Sequence, residues 1–257
     1  SSGRSAVAAA AYRSGVMLAD ERTGELSDYR RKRGVEHTEI VAPVDAPAWV
    51  HDRAALWNAA EAAERRKNSV TAREYEIALP AELSTEQRQQ AARAFGGWLA
   101  ERFGVVADIA IHAPGGEGDQ RNHHAHILTT TRAVGPEGLG AKTRALDDRQ
   151  SGAVEEVRAK WAEIANAALE RARVAERVDH RSHARQGVDE APTVHLGPAA
   201  AAMERRGIET ERGGINRLVV AANQALHQAR QMVERAAARA KDAASQVMDR
   251  GARIMAE

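Results

Sequence analysis

The spacing of apolar and polar positions changes several times along this chain, and each change marks an element. From Ser5 to Asp20 the residues are mostly small or apolar, with the unbroken run Ala6 to Ala11, and they predict a first helix; Gly24 then turns the chain. "VEHTEIVAP" predicts a short strand closed by Pro43. Ala55, Leu56, Ala59 and Ala63 recur at helical spacing and predict a second helix over Val50 to Arg66. "REYEIALP" alternates from Arg73 to Leu79, as a strand does. Ser84 stands three residues before Gln87, a capping-box spacing, and opens a helix that Gly104 stops. Two further strands, "VVADIAIHA" and "HHAHILTTTR", flank the glycine-rich loop "PGGEGDQRN". Helices follow from Val154 to Arg173 and through "HLGPAAAAMERRG" to Gly207. Ile215 to Glu257 holds no proline and a single glycine, Gly251, and predicts one long or bent helix. Its thin apolar face suits a solvated extension or a linker. Strand, helix, strand, helix, strand, strand is the order of an α+β fold with at least part of its sheet antiparallel.

With 257 residues, 43% of them hydrophobic, the chain can bury a core, and at 4% aromatic that core rests on Ala, Val, Leu and Ile. A net charge of +1 names no partner. The charge is uneven, however: "YRRKR" at Tyr29 to Arg33 lies near Arg4, Arg13 and Arg22, an excess that suits a polyanion. The absence of cysteine excludes disulfides and thiolate metal sites, so any metal must bind through His or carboxylate. No apolar run approaches membrane-spanning length and no secretory signal opens the sequence, so no membrane insertion and a soluble, cytoplasmic protein are expected.

His124 and His126 are two apart in a predicted strand, which sends both imidazoles to one face while Ala125 points to the other. His112 ends the preceding strand, and antiparallel pairing across the loop would bring it beside them. Asp108, Ala110 and His112 alternate against Ala107, Ile109 and Ile111; Glu74, Glu76 and Ala78 alternate against Tyr75, Ile77 and Leu79. One sheet face is thus suited to lie under helices and the other to carry carboxylates, histidines and a ligand. His123 points to the opposite face, and the remaining histidines form no comparable group. Three imidazoles leave the double charge of a divalent cation uncompensated, with positions open for oxygen. A phosphodiester would fill them. A phenol attacking that phosphorus would keep the bond energy in a phosphotyrosyl link, which draws attention to Tyr12 at the end of the alanine run.

The segments "RSAVAAAAYRSG", "RRKNSVTAREYEIALP", "NHHAHIL" and "RVDHRS" with its following "QG" together resemble the MobA/MobL family of plasmid mobilisation relaxases, the MobQ class of the HUH endonucleases. The family pattern opens with a strand ahead of this region, whereas the present sequence begins at "SSGRSA". The resemblance implies a central antiparallel sheet of HUH type with helices packed on one face. It implies a relaxase domain over residues 1–200 and a helical extension or linker over 201–257. By the same resemblance Tyr12 is the nucleophile that nicks one strand at an origin of transfer, forming a 5′-phosphotyrosyl intermediate. His124 and His126 are the HUH pair, and His112 is the third ligand of a divalent ion, Mg or Mn, with Co or Ni also able to occupy such a site. Glu74 is the acidic residue beside the metal, orienting an imidazole and helping to take the phenolic proton. Single-stranded DNA at the origin, accessory relaxosome proteins and a coupling protein are the implied partners. Arg4, Arg13, Arg30, Arg31, Lys32, Arg33, Arg121, Lys142 and Arg144 are the candidate DNA contacts. Three other readings stay open. A replication initiator shares the histidines and tyrosine but usually places the tyrosine after them. A three-histidine metallohydrolase would use activated water and not depend on Tyr12. A DNA-binding adaptor would keep the fold without the chemistry.

Overall fold

The computed structural model describes residues 5–66, 68–116 and 119–254. The chain divides into two compact units, Ser1–His180 and Arg181–Glu257. The first begins with α1 (Ala6–Ser14), whose N-terminus is capped by the Ser5 side chain accepting from the Ala8 N–H. It stops well short of the predicted Asp20. Gly15 takes the left-handed conformation (φ 67°), and the Val16 N–H turns back to the Ala11 carbonyl, closing the helix end. Met17–Ala19 and Leu26–Asp28 then pair as a small antiparallel hairpin, β1 and β2, whose first strand falls within the stretch expected to be helical.

The strand β3 (Val35–Val41), a short 3₁₀ turn (Ala48–His51) and α2 (Arg53–Ala62) follow; Asp52 caps α2 through the Ala55 N–H, so the helix opens later than Val50 and ends short of Arg66. Next come β4 (Ala72–Ala78), α3 (Thr85–Phe103), β5 (Ala107–His112) and β6 (His124–Thr130). Both arms of the Ser84–Gln87 capping box form. A second unpredicted hairpin, β7 (Arg132–Gly135) with β8 (Gly138–Lys142), precedes α4 (Ala153–Arg171). In the second unit lie α5 (His183–Gln186), α6 (Gly197–Arg205) and the 44-residue α7 (Glu211–Ile254). Asn216 and Asn223 of α7 each bracket a backbone amide, at Val194 and Ala191.

β3, β5, β6 and β4 form one sheet in that order, every neighbouring pair antiparallel, so the α+β class and the central antiparallel sheet are as expected. Helices lie on both faces of it, where one covered face was expected. Ile109, Ile111, Ala125 and Ile127 point into a core with Phe95, Leu99 and Phe103 of α3 and Val157 of α4. Gly96 lets α3 approach: a Cβ there would stand 2.7 Å from Ile109 Cδ1. On the opposite face, Leu128 packs with Val7, Ala10 and Ala11 of α1 and with Leu56 and Trp57 of α2. The polar pattern failed to announce this second layer because the carboxylate that the sheet turns toward it is satisfied internally. Asp108 is buried and accepts from Arg53 (Nη2 to Oδ1, 2.8 Å) and from Trp57 Nε1 (2.9 Å).

The alanine run is therefore a packing device. Ala10 and Ala11 are buried against the sheet, with relative exposures of 1% and 0%, and their small side chains set how closely α1 sits. Replacing Ala11 by Leu should overpack this interface and cost about 1–3 kcal/mol. The check is a urea midpoint lowered at unchanged slope.

Candidate functional site

The β5–β6 register pairs His112 with His124, and the next pair on that face is Ala110 with His126. All three imidazoles thus stand on the α1 face, at the opposite end of the strands from Asp108 and Leu128, which also pair. Ring centroids are 5.3 Å apart for His112–His124, 4.9 Å for His112–His126 and 5.2 Å for His124–His126. One ligand nitrogen from each lies within 4.8 Å of the others, so the cluster could hold a metal ion. Hydrogen bonds orient two of the rings. His124 Nδ1 donates to the Asn122 carbonyl at 3.0 Å, and His126 Nδ1 meets Glu74 Oε1 at 2.7 Å. Each bond puts the proton on Nδ1 and leaves the Nε2 lone pair for a cation.

His112 is tied to α1 instead: its Nε2 donates to the Arg13 carbonyl at 2.7 Å. Burial, the largest influence, pushes this imidazole down to about 4 despite that bond, with Lys32 and the other two histidines adding to the effect. The ring therefore stays neutral and able to bind a metal well into acid. In the unfolded chain the same group titrates near its ordinary 6.5, so between about pH 6.5 and 4 the unfolded state binds more protons. Metal-free protein should lose stability as pH falls through that window, and His112→Ala should flatten the slope. Urea midpoints measured across the window provide the check.

Glu74, on β4, joins the histidines to the helix. One of its oxygens meets His126, and both accept from the Arg13 guanidinium in a bidentate pair. Burial alone would raise its pKa, but the His126 and Arg13 hydrogen bonds and charges outweigh that and hold it at about 2. Arg13, expected from the sequence to touch DNA, thus spends its guanidinium on Glu74 and its carbonyl on His112.

Tyr12 precedes Arg13 in the last turn of α1, with 48% of its surface exposed. Its ring meets Tyr29 edge-on, centroids 5.2 Å apart, and Lys32 Nζ stands 3.9 Å from its centroid. Lys32 Nζ also donates to the Tyr12 carbonyl at 2.9 Å. Tyr12, Arg13, Lys32, Glu74 and the three histidines are thereby linked into one constellation.

The other candidate DNA contacts are spread outside this constellation. Arg30 is paired with Asp28, while Arg31, Arg33 and Arg144 are exposed. Arg121 pairs with Glu82. Lys142 is held by Glu64 and the Val70 carbonyl, beside Arg132 on the same carboxylate. Arg4 lies outside the described residues. Sequence reasoning missed Tyr29 and the Asn122 carbonyl. The first had an available signal in its place at the head of the basic run; the second is a backbone atom, which no residue type reports.

The model of the MobA/MobL family matches residues 4–206. Mobilization protein MobL of Acidithiobacillus ferridurans is 45% identical over 240 residues, covering 82% of this chain and 63% of that protein. Conjugal transfer protein TraA of Rhizobium radiobacter is 36% identical, covering 82% of this chain and 22% of its own length. The chain thus spans less than two thirds of either relative. A solved structure from work on the molecular basis of vancomycin resistance transfer in Staphylococcus aureus superposes with a TM-score of 0.62. It is 30% identical, and the match covers 70% of this chain and 92% of that one. Among the described residues, no helix is long and apolar enough to cross a membrane. The chain belongs to the MobA/MobL family.

Proposed function

We propose that this chain is the DNA-nicking part of a plasmid mobilisation relaxase, cutting and rejoining one strand at an origin of transfer through Tyr12. The observation that carries this reading is the tether between the helix turn that bears Tyr12 and the three-histidine cluster. The residue next to Tyr12 gives its carbonyl to His112 and its guanidinium to Glu74, which in turn holds His126. A divalent ion held by His112, His124 and His126 would act as a Lewis acid on a phosphoryl oxygen of the scissile diester. Tyr12 Oη attacks the phosphorus, giving up its proton to solvent, as the bond to the 3′ oxygen breaks and that oxygen leaves as a hydroxyl. The 5′ phosphate stays on Tyr12 as a diester, so the returning 3′ hydroxyl can reverse the step without an external energy source.

Glu74 serves here as an orienting group. A carboxylate held at about 2 is a weak base at neutral pH, and its oxygens are already engaged by His126 and Arg13. The exposed Arg31 and Arg33 are suited to the phosphates flanking the site. Accessory relaxosome proteins and a coupling protein would meet the same DNA complex, consistent with the mobilization and conjugal transfer names of the relatives.

The test is incubation with a single-stranded oligonucleotide carrying the origin of the encoding plasmid, with manganese or with chelator, followed by a denaturing gel. A metal-dependent band of protein joined to DNA is expected. Metal-dependent cutting that leaves no joined protein would favour the metallohydrolase instead.

A further inference from the structure

The basic run "YRRKR" does not act as a unit. Arg30 is folded back on Asp28, and Arg31 and Arg33 face solvent, but Lys32 turns inward and is half-buried. The turn is fixed by backbone bonds: the Lys32 N–H donates to the Tyr29 carbonyl at 2.9 Å, and the Tyr29 N–H donates to the Val16 carbonyl at 3.1 Å. These bonds hold Tyr29 and Lys32 together against the last turn of α1. Carbonyls there lack helical partners, and a cation is favourable at that end. Lys32 supplies both needs at the Tyr12 carbonyl and lays the same ammonium over the Tyr12 ring, while Tyr29 meets that ring edge-on.

We propose that Lys32 and Tyr29 form a clamp that fixes the orientation of the Tyr12 phenol, and that Lys32 is a positioning residue rather than a contact to DNA phosphate. A tyrosine half exposed at a helix end would otherwise move among rotamers. Holding one of them presents Oη along a single direction before substrate arrives, which is where a rate advantage from orientation originates. The lysine reaches the proposed nucleophile twice, at its ring and at its carbonyl. Its ammonium is partly buried and lies near Arg13, and both lower its pKa.

The proposal rests on Tyr12 as nucleophile, so one readout is chosen that does not depend on cleavage. The chain has three tyrosines, so 3-fluorotyrosine labelling gives three ¹⁹F signals, assigned by single Phe variants. Lys32→Met should move the Tyr12 and Tyr29 signals and leave that of Tyr75 in place, which also reports an intact fold. Lys32→Met should slow single-turnover joining to the origin oligonucleotide by about ten- to a hundredfold, with half-saturating DNA unchanged. Lys32→Arg should restore most of both signals and rate. Tyr29→Leu should slow the reaction, and combining it with Lys32→Met should add little, because either change opens the same clamp. Binding of a mixed-sequence single-stranded oligonucleotide should keep its salt slope in Lys32→Met. In variants of the exposed arginines the slope should fall by about 0.7 for each phosphate left without its cation. A salt slope lowered in Lys32→Met with the Tyr12 signal unmoved would overturn the proposal and return Lys32 to the DNA surface. If wild-type protein forms no adduct on Tyr12 yet the fluorine signals respond as described, the clamp stands and the nicking assignment fails.

Discussion

Tyr12→Phe should retain DNA and metal binding and lose strand cleavage by about a thousandfold or more. The substitution removes one oxygen. The aromatic ring that meets Tyr29 and lies under Lys32 remains, as do the backbone carbonyls of residues 12 and 13 that Lys32 and His112 use. Packing is unaffected, since the buried face of α1 is Val7, Ala10 and Ala11 rather than the tyrosine. What disappears is the hydroxyl that the proposed mechanism joins covalently to the 5′ phosphate. Residual cutting through water would be slow and would leave free 5′ ends. Anisotropy on labelled oligonucleotide checks binding, and a denaturing gel checks both cleavage and the missing adduct.

His124→Ala and His126→Ala should each weaken metal binding by about a hundredfold or more and abolish nicking. Each removes an imidazole whose Nδ1 bond fixes its ring, and the residue between them cannot stand in: Ala125 faces the other core with Ile127. His112→Ala should act similarly. His123→Ala should leave most activity, because that residue contributes to the fold chiefly through its backbone. Its carbonyl accepts from the Leu79 N–H at 2.8 Å, which alanine preserves, and its Nδ1 has no partner among the described residues. Titration calorimetry with manganese, alongside the nicking assay, separates the four variants. Equal losses for His123 and His124 would mean that the strand register is not the one described.

Much of this site was legible in the sequence because it depends on period-two spacing. His124 and His126 share a face as any residues i and i+2 of a strand must, and the two-stranded pairing that adds His112 needed only the intervening loop. The capping box at Ser84 and the stop at Gly104 are local chemistry and were readable for the same reason. What was not legible depends on distant partners. Asp108 looked like part of a polar, ligand-holding face until Arg53 and Trp57, remote in the chain, covered it. Arg13 looked like a free cation, although its partner Glu74 lies 61 positions on. The helix running to Asp20 failed at Gly15, where a left-handed residue ended it before an apolar stretch that pairs as a strand. Propensity favoured continuation there, and the hydrogen bonds of a hairpin won.

The central claim is that Tyr12 carries the covalent link between protein and DNA. It is tested most directly by trapping the joined product on the origin oligonucleotide with manganese, digesting protein and DNA, and mapping the residual nucleotide by mass spectrometry. The chain offers three tyrosines, Tyr12, Tyr29 and Tyr75, and they fall in separable peptides between the arginines that trypsin cuts. The account predicts a nucleotide on Tyr12 alone, absent when manganese is chelated. A nucleotide on Tyr29 or Tyr75, or full cleavage by Tyr12→Phe with no modified tyrosine, would contradict it.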